Sequence, residues 1–74
     1  MQTIEKFIGI LENYVENDEI KAEDNFKSAL GLSSFDVVCV MSDIEDEFGV
    51  ELTVADFVNN KTVGEMSEYI DSKK

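Results

Sequence analysis

Several residue types that carry much of protein chemistry are missing from this chain. It has no histidine, arginine, tryptophan or proline, and its only cysteine is Cys39. Without a histidine, the chain lacks the usual base that activates a serine or cysteine nucleophile, and we expect no catalytic residues. A single cysteine allows neither an intrachain disulfide nor a cysteine metal cluster. We therefore interpret Cys39 as a small, half-buried side chain and not as a nucleophile.

Basic residues and long apolar runs are scarce as well. The chain has 6 lysines against 17 acidic residues, and its net charge is -11 at pH 7. A field of this sign repels nucleic-acid phosphates and anionic membranes, whereas it attracts basic protein surfaces. The longest apolar run, from Val37 to Met41, is far too short to span a bilayer. The sequence thus predicts no nucleic-acid partner and no membrane insertion.

The abundant acidic residues do not form a recognisable metal motif. Asp43-x-Glu45-x-Glu47 is superficially similar to the start of a calcium-binding loop, but Gly49 comes one position too late. The same stretch is also predicted to be helical. We expect weakly bound divalent cations at most, and no metal site.

Length and composition predict one small globular domain over residues 1–74. A hydrophobic content of 43% is sufficient for a packed core, although a chain of 74 residues makes that core marginal in size. No internal repeat, low-complexity tract or linker is visible, and we expect a monomer. Residues 1–6 lack the long apolar segment of a signal peptide, which predicts a cytoplasmic protein. An organelle is the alternative if a transit peptide has been removed.

The spacing of apolar residues predicts a first helix from about residue 3 to residue 16, with Thr3 as its N-cap. Gly9 and Tyr14 fall toward its less buried side. Its buried stripe consists of Ile4, Phe7, Ile8, Leu11 and Val15. Residues 17–32 show no sustained periodicity and predict a long connection. The apolar residues expected to pin this connection to the helices are Ile20, Phe26 and Leu30.

A second helix is predicted from about residue 34 to residue 48. Ser33 and Asp36 approximate a capping box at its start, and Gly49 supplies the terminating glycine. Ser34 then takes the first helical position with a free hydroxyl, where the helix dipole and unpaired N–H groups favour a phosphate ester. The face expected to meet the core consists of Val37, Val40, Met41, Ile44 and Phe48. A second face consists of Phe35, Val38 and Ser42, bordered by Cys39, Glu45 and Asp46.

Two further helices are predicted after an extended connector at residues 50–52. Thr53 with Asp56 begins a short third helix through about Asn60, which we expect to bury Val54, Phe57 and Val58. The fourth helix opens with a Thr-x-x-Glu capping box at residues 62–65. Its buried stripe consists of Val63, Met66 and Ile70, with Tyr69 alongside. The predicted fold class is therefore all-α, a small four-helix bundle.

Residues 30–35 read Leu-Gly-Leu-Ser-Ser-Phe, and residues 45–49 read Glu-Asp-Glu-Phe-Gly at the end of the predicted second helix. Residues 61–65, Lys-Thr-Val-Gly-Glu, and Tyr69-Ile70 follow downstream. In these four stretches the sequence resembles the acyl carrier protein family, whose signature is Leu-Gly-x-Asp-Ser-Leu followed by a helix that ends in acidic residues, Phe and Gly. The resemblance implies a bundle of acyl-carrier type, with a short third helix and a long first loop. It also implies that Ser34 carries 4′-phosphopantetheine from coenzyme A, whose thiol holds acyl groups as thioesters.

The resemblance further implies a docking surface on the second helix. Its partners are a phosphopantetheinyl transferase and acyl-transferring, condensing or acyl-activating enzymes with basic docking patches. The residues assigned to this surface are Phe35, Val38, Cys39, Ser42, Glu45 and Asp46. For Phe35, packing beneath the long loop is an equal alternative.

Four residues depart from the family pattern. Ser33 and Phe35 occupy positions where the family has aspartate and leucine, whereas Cys39 and Ser42 occupy positions where a carboxylate and an apolar residue are common. Fatty-acid synthesis is the commonest role of the family, and the departures favour a specialised polyketide or peptide carrier as the alternative. A different class of function is an unmodified acidic helical module that binds basic protein surfaces through the second helix.

Overall fold

The computed structural model describes residues 2–16 and 19–74. Its elements in chain order are four helices, α1 (Thr3–Leu11), α2 (Ser34–Phe48), α3 (Val54–Asn59) and α4 (Val63–Lys73). The described residues form no strand, only an isolated antiparallel bridge between Asn25 and Thr62. The prediction of an all-α four-helix bundle is confirmed. Across these same ranges, no helix is long and apolar enough to cross a membrane. The cytoplasmic location stays a prediction.

α1 is shorter than predicted, because it ends at Leu11 and not near residue 16. The amides of Asn13 and Tyr14 donate to carbonyls three residues back, those of Ile10 and Leu11, at 3.1 and 2.9 Å. Such tightened bonds are typical of a helix terminus. Val15 nevertheless packs against the core as expected, and its amide still donates to the carbonyl of Leu11 four residues back, at 3.2 Å.

The prediction that Thr3 caps α1 is wrong. The N-cap is Gln2, and its side chain makes no capping hydrogen bond. Thr3 is the first helical residue and is buried, with its hydroxyl donating to the carboxylate of Asp71 and accepting from Lys74 Nζ at 2.9 Å. The hydroxyl therefore joins the start of α1 to the end of α4, which local sequence could not show.

The core lies between α1, α2 and α4 and is closed by the long connection and α3. Within it, the ring of Phe26 packs edge-on against Phe7 and tilted against Phe57 at centroid distances of 5.9 and 5.1 Å. The buried apolar residues are Phe7, Leu11, Ile20, Phe26, Leu30, Leu32, Val40, Ile44, Val50, Leu52, Phe57, Val63, Met66 and Ile70. The three predicted pins of the connection are all buried, and that prediction is confirmed.

Backbone hydrogen bonds hold the long connection against the α3–α4 junction. The amide of Phe26 donates to the carbonyl of Lys61 at 3.2 Å, and the amides of Val63 and Gly64 donate to Asp24 and Ala22 at 3.0 and 2.7 Å. A Cβ at position 64 would lie 3.1 Å from the carbonyl oxygen of Ala22, so glycine permits this close approach. Residues 17 and 18 of the connection lie outside the described residues.

α3 buries less than the sequence predicted. Phe57 is buried, but Val54 and Val58 are 56% and 58% exposed, and the prediction that they enter the core is wrong. A helix of six residues has fewer than two turns, and Phe57 is its buried residue. Val50 and Leu52 of the extended connector are buried as well, whereas the two valines line the open groove described below.

The start and buried stripe of α4 agree with the sequence. Thr62 and Glu65 form the predicted capping box, and Val63, Met66 and Ile70 are fully buried. Tyr69 is half-buried alongside them.

Candidate functional site

The site begins with a sharp turn that sets the direction of α2. Gly31 has a φ of 68°, which glycine adopts without the steric cost that other residues incur. Ser33 then caps the helix, since its hydroxyl accepts from the amide of Asp36 at 3.2 Å. The carboxylate of Asp36 accepts in return from the amide of Ser33 at 3.1 Å. The predicted capping box is therefore present, with aspartate in the place of the usual glutamate.

Ser34 is the first residue of α2 and is exposed. Its hydroxyl has no hydrogen-bond partner among the described residues, because Ser33 already serves as the cap. Unpaired first-turn amides and the helix dipole make this end of α2 electropositive. The arrangement presents a free hydroxyl at a position that favours a bound phosphate.

A groove of about 270 Å³ opens beside Ser34, between the start of α2 and α3. Its walls are mainly apolar, although two lysines contribute to them. The residues that line it are Asn25, Phe26, Lys27, Leu32, Ser33, Ser34, Val37, Val38, Val54, Phe57, Val58 and Lys61. This volume is just below the usual range of about 300–1,000 Å³ for small-molecule sites, so the groove suits only a small ligand.

The two faces of α2 separate as the sequence predicted. Val40 and Ile44 are fully buried, and the other members of the core face, Val37, Met41 and Phe48, are half-buried against the core. On the second face, Phe35 is 75% exposed and Val38 is 51% exposed. Phe35 therefore does not pack beneath the long loop.

The remaining residues assigned to the docking surface also lie outward. Cys39 is half-buried, as expected, and Ser42, Glu45 and Asp46 are exposed. Together with Phe35 and Val38 they follow one another at three- and four-residue steps along one side of α2. Glu45 also makes a contact within the chain, because its carboxylate accepts from the amide of Leu52 at 3.2 Å.

Several residues that line the groove were not assigned to the site from the sequence. Among them are Val54, Val58, Lys27 and Lys61, all of which are exposed. The spacing of the two valines offered a signal, since residues four apart share one side of a helix. No sequence pattern indicated the two lysines, because the segments that carry them meet only through tertiary contacts of the long connection.

Two tyrosine–carboxylate hydrogen bonds brace the helices around the site. Tyr14 donates to Asp43 of α2 at 2.5 Å, and this bond, with burial and the negative charge of Asp43, raises the pKa of Tyr14 to about 12. Tyr69 of α4 donates to Asp56 of α3 at 2.7 Å. That bond, with one from the amide of Thr53, lowers the pKa of Asp56 below its ordinary value. The bonds hold α2 to the end of α1 and α3 to α4.

No group of three or more cysteine or acidic side chains in residues 2–16 and 19–74 is arranged to hold a metal ion. Asp36 and Asp43 of α2 accept hydrogen bonds from Ser33 and Tyr14, and the other acidic residues of the helix, Glu45, Asp46 and Glu47, are exposed. What the site offers chemically is thus an exposed serine hydroxyl beside a small groove.

Comparison with known families agrees with this geometry. A family model described as a phosphopantetheine attachment site matches residues 2–70 of the chain. The match includes all of α1, α2 and α3, together with most of α4.

Proposed function

This chain belongs to the phosphopantetheine-binding family of carrier proteins, and we propose that Ser34 is the residue to which its arm is attached. Domains of this family hold 4′-phosphopantetheine covalently and are non-catalytic carriers. They work with a phosphopantetheinyl transferase and with enzymes that handle acyl groups. When bound, the arm supplies a thiol that holds an acyl group as a thioester.

The observation that carries the assignment is the difference between two adjacent serines. The hydroxyl of Ser33 accepts the amide of Asp36 and would have to leave the cap in order to react. Ser34 is exposed, and its hydroxyl is free of any hydrogen bond to the described residues. The surroundings of Ser34 also fit a phosphate, because the start of α2 is electropositive.

Attachment at Ser34 would be a simple phosphoryl transfer. Ser34 Oγ attacks the phosphorus of coenzyme A on the pantetheine side, the new O–P bond forms, and the pyrophosphate bond to the nucleotide breaks. The nucleotide leaves as 3′,5′-ADP, and the serine proton passes to a base. The chain has no histidine, and Asp36 is engaged in the capping box, so the transferase supplies the base and the magnesium ion.

The exposed side of α2 is the proposed docking surface for the transferase and for the enzymes that use the loaded carrier. Phe35 and Val38 give it an apolar end close to Ser34, and Glu45 and Asp46 give it an acidic end. Such a surface is complementary to an apolar pocket flanked by lysines and arginines. Acyl-transferring, condensing and acyl-activating enzymes are the proposed partners.

Fatty-acid synthesis is the proposed pathway, and a specialised polyketide or peptide pathway is the alternative. The exposed aromatic ring of Phe35 favours the alternative, since it is a large apolar anchor that a partner's pocket must accommodate. Loading assays with acyl-transferring enzymes from each type of pathway would distinguish the two.

The test of the attachment site compares two matched variants. Ser34→Ala and Ser33→Ala are each coexpressed with a broad-specificity phosphopantetheinyl transferase, and their intact masses are measured. We expect Ser33→Ala and the unchanged chain to gain the mass of the arm, and Ser34→Ala to gain nothing. Loading of Ser34→Ala would contradict the assignment. An unchanged chain that never gains mass would favour the unmodified interaction module.

A further inference from the structure

We propose that Lys27 and Lys61 pair with the phosphodiester at the root of the arm and so orient the arm where it leaves Ser34. The inference rests on the proposed attachment at Ser34, because it takes the phosphodiester to be bonded to that residue. Ser34 and both lysines line the same groove.

The charge of the groove differs from that of the rest of the chain. The chain has 17 acidic residues against 6 lysines, yet none of the described residues that line the groove is an aspartate or glutamate. Two of the 6 lysines, Lys27 and Lys61, do line it. The groove is therefore a basic site on an acidic molecule, and it suits an anion.

Neither groove lysine is paired with a carboxylate in the described part of the chain. Lys6 pairs with Glu47 at 3.7 Å and Lys74 pairs with Asp71 at 3.6 Å. Lys27 and Lys61 form no ion pair with any carboxylate of residues 2–16 and 19–74. Their charges are left available for an external anion, and a phosphodiester on Ser34 is the anion that the proposed function places there.

The backbone holds the two lysine-bearing segments together. The amide of Lys27 donates to the side-chain oxygen of Asn25 at 2.8 Å, and the carbonyl of Lys61 accepts from the amide of Phe26 at 3.2 Å. The isolated bridge between Asn25 and Thr62 joins the same two segments. The two lysines thus project from adjacent backbone segments beside the groove, and their side chains are exposed.

A phosphodiester remains singly negative throughout the pH range in which proteins fold. An ammonium group pairs with phosphate as a point charge, and such charge-assisted hydrogen bonds are stronger than neutral ones. Pairing at this point holds the first atoms of the arm beside Ser34, at the mouth of the groove.

The test uses the loaded chain and a variant that removes both charges. Lys27→Gln/Lys61→Gln is compared with the unchanged chain and with Lys21→Gln/Lys73→Gln, which loses the same charge outside the groove. Intact mass and peptide mapping first establish that the arm is on Ser34. The measurements are the ³¹P chemical shift of the phosphodiester at increasing salt, and the rise in melting temperature from the unloaded to the loaded form.

We expect the ³¹P shift of the Lys27→Gln/Lys61→Gln variant to move to the value of free phosphopantetheine and to lose its salt dependence. We also expect its gain in melting temperature on loading to fall to less than half that of the unchanged chain. The Lys21→Gln/Lys73→Gln control should keep both properties, because the two charges that it removes lie outside the groove. Circular dichroism of all three proteins verifies that the fold is intact.

Three results would overturn the proposal. One is an identical ³¹P shift and melting gain in all three proteins, and another is an equal loss in the control. The third is a lysine-dependent effect that appears only when the arm carries a carboxylated acyl group, since the lysines would then bind the cargo. An arm on another residue would instead contradict the assignment of Ser34, and this proposal with it.

Discussion

Ser33 and Ser34 are neighbours of the same type, but only Ser33 contributes to folding. Its hydroxyl caps α2, whereas that of Ser34 has no partner among the described residues. We expect Ser33→Ala to lower the free energy of unfolding by about 1 kcal/mol, the usual cost of losing an N-cap. Ser34→Ala should lower it by less than half as much. Urea unfolding of both variants measures the two changes in free energy. A larger loss for Ser34→Ala than for Ser33→Ala would contradict the assignment of Ser33 as the cap.

Tyr14 gives the fold a dependence on alkaline pH. Its hydrogen bond to Asp43 raises its pKa from 10.0 to about 12, so the folded chain holds the phenolic proton more tightly than the unfolded chain does. The stability from this bond is complete below pH 10 and is lost as the pH rises through about 12.

The matching measurement compares the unchanged chain with Tyr14→Phe at several pH values. We expect the difference in unfolding free energy to be constant below pH 10 and to shrink as the pH rises toward 12. Titrations of lysines, which the two proteins share, cancel in this difference. A difference that stays constant up to pH 12 would show that the bond to Asp43 does not hold the proton.

The structural roles of single residues were predicted correctly where their hydrogen bonds join residues close in the sequence. The capping boxes at Ser33, Thr53 and Thr62 each join residues three apart, so the pattern is visible in the sequence itself. Thr3 was misassigned because its hydroxyl bonds to Asp71 and Lys74, at the other end of the chain. No local pattern contains that contact.

At the scale of elements, α3 exposes two valines and buries one phenylalanine. Phe57→Ala should destabilise the fold by roughly 3–5 kcal/mol, because it removes a buried ring that packs against Phe26. Val54→Ala/Val58→Ala should cost under about 1 kcal/mol, as expected for two exposed positions. Thermal or urea unfolding of the two variants measures both losses of stability. A large loss from the double valine variant would indicate that these residues contribute to the core.

α2 provides the second prediction at this scale, which concerns docking. Glu45→Gln/Asp46→Asn removes two charges about three turns along α2 from Ser34, and the glutamine retains an acceptor for the amide of Leu52. We expect transferase loading to slow by roughly two- to tenfold at low salt and to depend less on ionic strength. Loading reactions that are quenched at successive times and analysed by intact-mass spectrometry measure the rate.

The matched control is Glu12→Gln/Glu16→Gln, which removes the same charge after the end of α1. Both residues are exposed, and neither lies on α2. Equal slowing by both variants would show that the acidic surface acts as a diffuse field, and the α2 docking surface would lose its support.

The positions of the helices were predicted more accurately than the residues that they bury. The span of α2 could be predicted because Ser33 and Gly49 mark its two ends chemically. α1 has no such signal at its end, and apolar spacing alone extended it past Leu11. In α3, Phe57 is buried whereas Val54 and Val58 are exposed, a difference that only the tertiary structure reveals.

For the whole molecule, the net charge of -11 on 74 residues predicts a stabilising effect of salt. Like charges repel one another in the folded state, and about 0.1 M salt limits that repulsion to about 10 Å. We expect the melting temperature to rise from low to moderate salt with sodium chloride. Sodium sulfate is not a suitable substitute, because it also strengthens apolar burial. An unchanged melting temperature would show that the ion pairs already offset the repulsion.

The central claim is that this carrier holds its arm on Ser34, and tandem mass spectrometry of the loaded, unmutated chain tests it most directly. Cleavage after Lys27 and Lys61 yields one peptide that contains both Ser33 and Ser34. Fragment ions that separate the two serines should place the phosphopantetheine on Ser34 and leave Ser33 unmodified. An arm on Ser33, or on any residue outside the start of α2, would contradict the account.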